Sequence, residues 1–321
     1  MNSSHPKISV CIPTFNRVQL LTYAIESVLA QTEMDWELIV CDDGSQDKTP
    51  QIMAGYQQQD DRISYIRHDQ NIGKSNNMRS GFYAAKGDFF VKFDDDDRLG
   101  KDFLAATSKI LIDHPEIDFV GTDHWIIDLD NQRNLEQTEI NSRRWGRTEL
   151  LEGQVNNLLE TVFVQQSFQV GATLFQTQVL KEVDFMRPHL QNCEDNDLFV
   201  RIALAGKKGY YLPQRLMEYR FHPEQQGIER AIPYLRDKLN YLSSYQFEDR
   251  KLETIRQQRL QETQLLLGLR LVEKNQVTEG RELIQKGRSC SPKKAWIGLG
   301  LSRLPQPMRE KAFEVLRQFR S

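Results

Sequence analysis

The sequence predicts an α/β fold with a mostly parallel central sheet flanked by helices, followed by a C-terminal helical extension. Three observations carry this expectation. Over residues 1–100, short β-branched apolar runs alternate with stretches of helical periodicity, the pattern of buried parallel strands joined by crossover helices. Each run ends in polar residues: Thr14 and Asn16, then Asp42 and Asp43, then Asp94 to Asp97. From residue 231 onward only helical spacing remains.

The elements come in this order. KISVCIPTF (7–15) reads as a buried strand that ends at Pro13, and residues 16–32 as a helix with Leu20, Leu21, Ala24, Ile25 and Val28 on one face. WELIVCDDGS (36–45) is a second strand. The next helix, within residues 46–59, has Asp47 or Thr49 as its cap and Pro50 in its first turn. RISYIRH (62–68) is a third strand, KSNNMRSGFYAAKG (74–87) a short helix stopped by Gly87, and DFFVKF (88–93) a fourth strand. Polar strand ends that converge on one sheet edge are where ligands bind in such folds.

Beyond residue 100 the pattern is mixed. IDFVGTDHWIID (117–128) reads as a strand, FQVGATLFQ (168–176) as a strand or buried turn, and KGYYLPQRLMEYRFH (208–222) as a strand pair or a strand with a tail. CEDNDLFVRIALAG (193–206) is an amphipathic helix with Gly206 as its stop, while residues 129–165 carry no clear pattern. The helical segments LETIRQQRLQETQLLLGLRLVEK and VTEGRELIQKGRS form one helical hairpin. The expected division is a domain over 1–230, with halves 1–100 and 101–230, and an extension over 231–321.

Bulk properties narrow the partners. A net charge of −3 over 321 residues argues against nucleic acid. Cys11 and Cys41 sit in apolar runs and read as reduced, buried thiols of a reducing compartment. No signal pattern opens the chain and no apolar stretch approaches the length of a membrane span, so a cytoplasmic protein is expected. Residues 286–321 carry nine Lys/Arg against two Glu, with Trp296, Ile297, Leu299, Phe313, Leu316 and Phe319 among them. That tail reads either as a peripheral contact with an anionic inner membrane face or as a packed helix with a solvated basic side.

Five short motifs have chemical readings beside plain structural ones. In FDDDDRL (93–99), carboxylates projecting from an extended chain would give hard oxygen ligands for Mg²⁺ or Mn²⁺ bridging to phosphate; the alternative is an acidic turn before a helix near Lys101. An EF-hand is a poor match, because the positions that need Gly and Glu hold Leu99 and Ala105. CDDGS (41–45) can receive a base edge or form a plain Asx turn. NIGKS (71–75) can bring Lys74 to a phosphate, or simply start a helix; it is no Walker loop, since His68 stands where that pattern needs Gly. NCEDNDLFVRI (192–202) offers a carboxylate base, or acids favoured at a helix N-terminus. YRFH (219–222) ends in His222, a metal ligand or a surface histidine.

Taken in order, IPTFNR, CDDGSQDKT, NIGKS, FDDDDRL, EDNDLFVRIALAG and YRFH resemble the family 2 glycosyltransferases of GT-A fold over about residues 7–222. The resemblance implies an inverting, Mn²⁺- or Mg²⁺-dependent enzyme that takes a sugar from a nucleotide-diphospho-sugar, UDP-linked by default, to a carbohydrate or lipid-linked acceptor. Pro13, Thr14, Phe15, Asn16 and Arg17 would line the nucleotide site, with Phe15 stacked on the base and Asp43 hydrogen-bonded to it. Lys74, Asp94 and Asp95 would lie on the sugar-nucleotide side, Asp96 and His222 would hold the metal, and Asp195 would be the catalytic base. Asp97 would cap the element after the acid loop. Two stretches depart from the family pattern: Asn77-Met78-Arg79 stands where many relatives have Ala-Arg-Asn, and Val183-Asp184-Phe185 where they often have Gly-Gly-Phe. Two rival readings are a catalytically silent sugar-nucleotide-binding scaffold and a nucleotidyltransferase. The latter lacks its Gly- and basic-rich loop after the first strand, where PTFNRVQ stands.

Overall fold

The structure, a computed structural model, describes residues 7–221 and 231–318. Its strands are β1 (Ile8–Thr14), β2 (Trp36–Asp42), β3 (Ile63–Arg67), β4 (Phe89–Lys92), β5 (Arg98–Leu99), β6 (Phe119–Ile127), β7 (Gly153–Gln154), β8 (Thr173–Gln176) and β9 (Gly209–Arg220). They form one sheet in the order β3-β2-β1-β4-β8-β6-β9-β5, with β7 beside β9. β3, β2, β1 and β4 are parallel, β8 runs antiparallel to both β4 and β6, and β6 and β9 are parallel again. The C-terminal ends of β1, β2, β4, β6 and β9 therefore share one edge. β1 and β2 are buried at every position, which is why both read as unbroken apolar runs rather than alternating ones.

Helices α1 (Val18–Leu29), α2 (Thr49–Gln59), α3 (Lys74–Ala84) and α4 (Phe103–Asp113) follow the early strands. One carboxylate starts two of them: Asp47 accepts from the Val18 amide of α1 and from the Thr49 amide of α2, each at 3.0 Å. α3 ends at Ala84, short of Gly87. That glycine answers a different demand, since a Cβ there would lie 2.5 Å from the Ser9 nitrogen in β1. The unpatterned region holds α5 (Leu135–Arg144) and the single turn α6 (Leu158–Glu160). α7 (Thr177–Glu182) and α8 (Glu194–Leu204) complete this unit. Gly206 takes a left-handed φ of 72° just past α8, as its stop residue should. β9 is one long strand rather than a strand pair.

The chain divides into two compact units, Met1–Gln225 and Gln226–Ser321. The second contains α9 (Ala231–Ser243), α10 (Arg250–Glu273), α11 (Val277–Lys286), α12 (Pro292–Leu301) and α13 (Gln306–Gln318). α10 and α11 form the expected hairpin. Their backbones meet at Gly268 and Gly280: a Cβ on Gly268 would lie 2.6 Å from the Gly280 carbonyl oxygen. Among the described residues no helix is long and apolar enough to cross a membrane.

Candidate active site

β4 ends at Lys92 and the chain turns at Asp95 and Asp96, so the four acids do not project from an extended strand. Each acid has its own surroundings. Asp94 takes the Lys92 ammonium on both oxygens, at 2.7 and 2.8 Å, and the Lys74 ammonium stands 3.8 Å away. Asp95 accepts from the Thr14 hydroxyl at 2.7 Å and from Arg17 at 3.2 Å. The same Arg17 nitrogen donates to Asp96 at 2.8 Å. Asp97 is buried and accepts from the Arg220 amide at 2.8 Å. It is an internal brace of the loop rather than a cap.

The crowding shows in the acidities. Burial and the charge of Asp96 push Asp95 up to about 7, against the pull of Arg17. Burial, Asp96 and Asp94 push Asp97 well above the usual carboxylate range. Burial acts the same way on Asp94, but Lys92 and Lys74 overcome it and hold Asp94 well below that range.

Two basic residues that shape the loop were not singled out by the sequence motifs. The Lys92 side chain is fully buried. Arg220, also fully buried, donates through Nε to the Asp96 carbonyl at 2.7 Å and through its other nitrogens to the Asp128 carbonyl and the Asn131 side chain at 2.5 and 2.6 Å. Their signals were present in the sequence: a lysine inside an apolar strand just before acids, and the Arg of YRFH.

The first loop meets this cluster from β1. Pro13 and Thr14 are buried at the strand end, whereas Phe15 is 42% exposed. Asn16 adopts a left-handed φ of 55°, a conformation asparagine tolerates. Its amide donates to the Ser45 hydroxyl at 2.9 Å and its side-chain oxygen accepts from the Gln46 amide at 2.8 Å, which ties IPTFN to CDDGS. Asp43 accepts from the amides of Ile72 and Gly73 at 2.7 and 3.1 Å, so it also sets the NIGKS turn.

Lys74 then joins two distant segments, because its ammonium lies 2.8 Å from Glu194 as well as near Asp94. Burial and the neighbouring Asp195 raise Glu194, and Lys74 opposes them. Asp195 follows in the first turn of α8, and its Oδ1 is buried with no hydrogen-bond partner among the described residues. The two departures from the family pattern answer each other. Arg79 donates to the carbonyls of Asp184 and Met186 at 3.2 and 2.8 Å, and so fastens the turn where Asp184 and Phe185 take φ of 56° and 34°.

His222 lies outside the described residues. Among the described residues no group of three or more His, Cys, Asp and Glu side chains is arranged to close on an ion. What stands there, Asp96 on the turn with the carboxylates of Asp94 and Asp95 beside it, suits a hard cation that brings most of its shell from phosphate oxygens and water.

Residues 9–170 match the family described as glycosyl transferase family 2. A GalNAc(5)-diNAcBac-PP-undecaprenol beta-1,3-glucosyltransferase of Campylobacter jejuni is 43% identical over 95 residues, 29% of this chain and 31% of that protein. EpsE of Bacillus subtilis, provisionally named a glycosyltransferase, is 30% identical over 227 residues, 68% of this chain and 74% of its own. In fold, the chain is similar to TarS of S. aureus in complex with UDP-GlcNAc, with a TM-score of 0.64 at 17% identity over 96% of this chain and 91% of that one. It is also similar to the mannosyltransferase PcManGT of Pyrobaculum calidifontis in complex with GDP-Man and Mn²⁺, with a TM-score of 0.59 at 15% identity over 96% of this chain and 83% of that one. The sheet edge, the acid loop and these likenesses agree: the chain has a GT-A fold and belongs to glycosyl transferase family 2.

Proposed function

We propose that the protein is an inverting glycosyltransferase that moves a sugar from a nucleotide-diphospho-sugar, UDP-linked by default, to an acceptor hydroxyl in glycoconjugate synthesis. The observation that carries this reading is the buried, unpartnered Oδ1 of Asp195 on the same edge as an acid loop whose charge is only partly balanced. A buried carboxylate oxygen without a donor is unfavourable; Asp97 Oδ2 is a second one, but Asp97 is 1% exposed, whereas Asp195 is half-buried and its oxygen is placed to receive a proton in turnover.

In this reading Phe15 stacks on the base, Pro13 and Thr14 wall the pocket, and Asn16 and Asp43 hold its loops. Each Asp43 oxygen keeps a lone pair for the base edge. Arg17, Lys74, Asp94 and Asp95 flank the diphosphate and ribose. Asp96, with His222, would hold Mn²⁺ or Mg²⁺, which when bound offsets the charge that develops on the leaving diphosphate. Asp195 accepts the proton of the acceptor hydroxyl as its oxygen attacks C1 from the face opposite the leaving group. The C1–O bond to the diphosphate breaks in the same displacement, and the configuration inverts.

Nucleotide release from a panel of sugar nucleotides with Mn²⁺ tests the proposal. Asp195→Asn should bind nucleotide and fail to transfer, and Asp96→Ala should lose cation-dependent binding. Normal transfer by both variants would end the site assignment, and a covalently trapped sugar on the protein would end the single displacement.

The acceptor is proposed to be carbohydrate or lipid-linked. Of the apolar residues in the basic tail, Phe313 is buried with Leu265, Val272 and Ile284, and Leu299 packs on the same core. That favours the packed-helix reading for α13. Trp296 remains 79% exposed on α12, beside exposed Lys293 and Lys294. Any peripheral contact with an inner membrane face would centre there; co-sedimentation with anionic liposomes, lost in Trp296→Ala, checks it.

A further inference from the structure

β9 slips its register with β6 twice, between Thr122 and Asp123 and between Asp123 and His124. Pro213, Gln214 and Leu216 are the surplus residues, and Pro213 and Gln214 are exposed. Bulges of this kind re-aim side chains. Beside this one opens a pocket of about 590 Å³, lined among others by Asp123, Trp125, Arg147, Tyr211, Gln214 and Arg215. Its size falls in the small-molecule range of roughly 300–1,000 Å³.

The floor of this pocket is electrically complete. Asp123 accepts from Arg147 at 2.6 Å, from Ser142 at 2.9 Å and from Arg215 at 3.4 Å, and Arg215 also donates to Glu139 at 2.6 Å. An incoming anion would compete with Asp123 and Glu139 for the guanidiniums, and a cation would compete with the guanidiniums for the carboxylates. What remains open is neutral. Tyr211 is only 1% exposed, yet its hydroxyl, in a side chain that lines the pocket, makes no hydrogen bond among the described residues. Trp125 is half-buried, with the Arg215 and Arg133 guanidiniums over its ring at 4.7 and 4.8 Å, and its indole N–H is likewise without a partner among the described residues. Gln214 presents an exposed amide. These unfilled neutral donors and acceptors match a pyranose bearing hydroxyl or acetamido groups.

We propose that this pocket binds a neutral pyranose of the acceptor, away from the reacting hydroxyl, an assignment that rests on the glycosyltransferase reading. The two strands that form it lead to the reacting edge. Ile127 pairs with Arg220, which grips the acid loop, and Ile127 lies four residue steps along β6 from Asp123. At about 3.3 Å per residue that is roughly 13 Å, a span for an acceptor of several sugars rather than one.

The test uses the full chain and two readouts. Saturation-transfer NMR and calorimetry with the methyl glycosides of glucose, galactose, N-acetylglucosamine and N-acetylgalactosamine measure the pocket, with glucuronate and inorganic phosphate as charged comparisons. Thermal shift with UDP-sugars and Mn²⁺ measures the donor site. At least one neutral glycoside should bind, and Tyr211→Phe or Gln214→Ala should weaken it about three- to ten-fold, as loss of one hydrogen bond does. The donor response should be unchanged in both variants. The proposal is overturned if no neutral glycoside binds, if binding is indifferent to both substitutions, or if only the charged probes bind. A missing donor response in the wild type would instead overturn the glycosyltransferase reading, and the glycoside titration would still read out by itself.

Discussion

The molecule builds two buried polar centres on one sheet and treats their charges in opposite ways. Around Asp123, each carboxylate oxygen has a donor and the basic groups are matched. Around the acid loop, Asp94 to Asp97, Glu194 and Asp195 face Arg17, Lys74, Lys92 and Arg220, and one oxygen each of Asp97 and Asp195 is left without a hydrogen-bond partner among the described residues. Burial is common to both, so burial alone does not mark a reactive site. What marks Asp195 is its place: it is half-buried in the first turn of α8, within reach of an outside group, whereas Asp97 is sealed inside the loop.

The sharpest way to break this comparison is Asp195→Asn, which keeps the shape and removes the base. Transfer should fall by about 10²- to 10⁴-fold with nucleotide binding retained by thermal shift. Lys92→Met should come next. It strips a fully buried ammonium from Asp94 and should lower stability by about 3–5 kcal/mol in urea titration, with Asp94→Asn in the same chain restoring part of the loss. Arg147→Met should fall short of Lys92→Met, because Asp123 keeps Arg215 at 3.4 Å, the Ser142 hydroxyl and the His124 amide, whereas among the described residues Asp94 keeps only Lys74 at 3.8 Å. Phe15→Ala should weaken nucleotide binding by about 1–3 kcal/mol, the usual worth of an aromatic stacked on a base, measured by calorimetry.

A pair of opposed pH responses belongs to the protein without nucleotide. Burial, then Arg147, holds His124 down to about 3. Its unfolded value is about 6.5, so its contribution is full above that pH and is lost as pH falls towards 3. Asp95 stands at about 7, against about 3.9 unfolded. Its contribution is therefore full below about 4 and is lost as pH rises through 7. Across pH, urea midpoints should show a flatter acid-side slope in His124→Gln and a flatter neutral-side slope in Asp95→Asn, where Asp97 and Glu194 still contribute.

Much of this was legible in the sequence, for local reasons. β1, β2 and β4 show as apolar runs because both faces are buried, and their polar ends mark the edge where Thr14, Asp43 and Asp94 gather. The ordered motifs located the first loop, Asp43, Lys74 and Asp195 together. What stayed hidden depends on partners far along the chain. Lys92 gains its meaning from Asp94 and from the start of α8, and Arg220 from a loop more than a hundred residues earlier. The β9 bulge takes its register from β6, and Pro213, which cannot donate to a ladder, was its one local signal within residues 208–222. The resemblance gave the four acids separate roles, and the turn at Asp95 and Asp96 gives each its own partners.

The central claim is that the acid loop is completed by a cation together with a nucleotide diphosphate. Thermal shift with UDP-sugars and GDP-sugars, in Mn²⁺ and in chelator, on wild type, Asp96→Ala and Asp195→Asn, tests it most directly. The account predicts a cation-dependent shift in the wild type and in Asp195→Asn that disappears in Asp96→Ala. An equal shift in chelator, or one retained in Asp96→Ala, would contradict it.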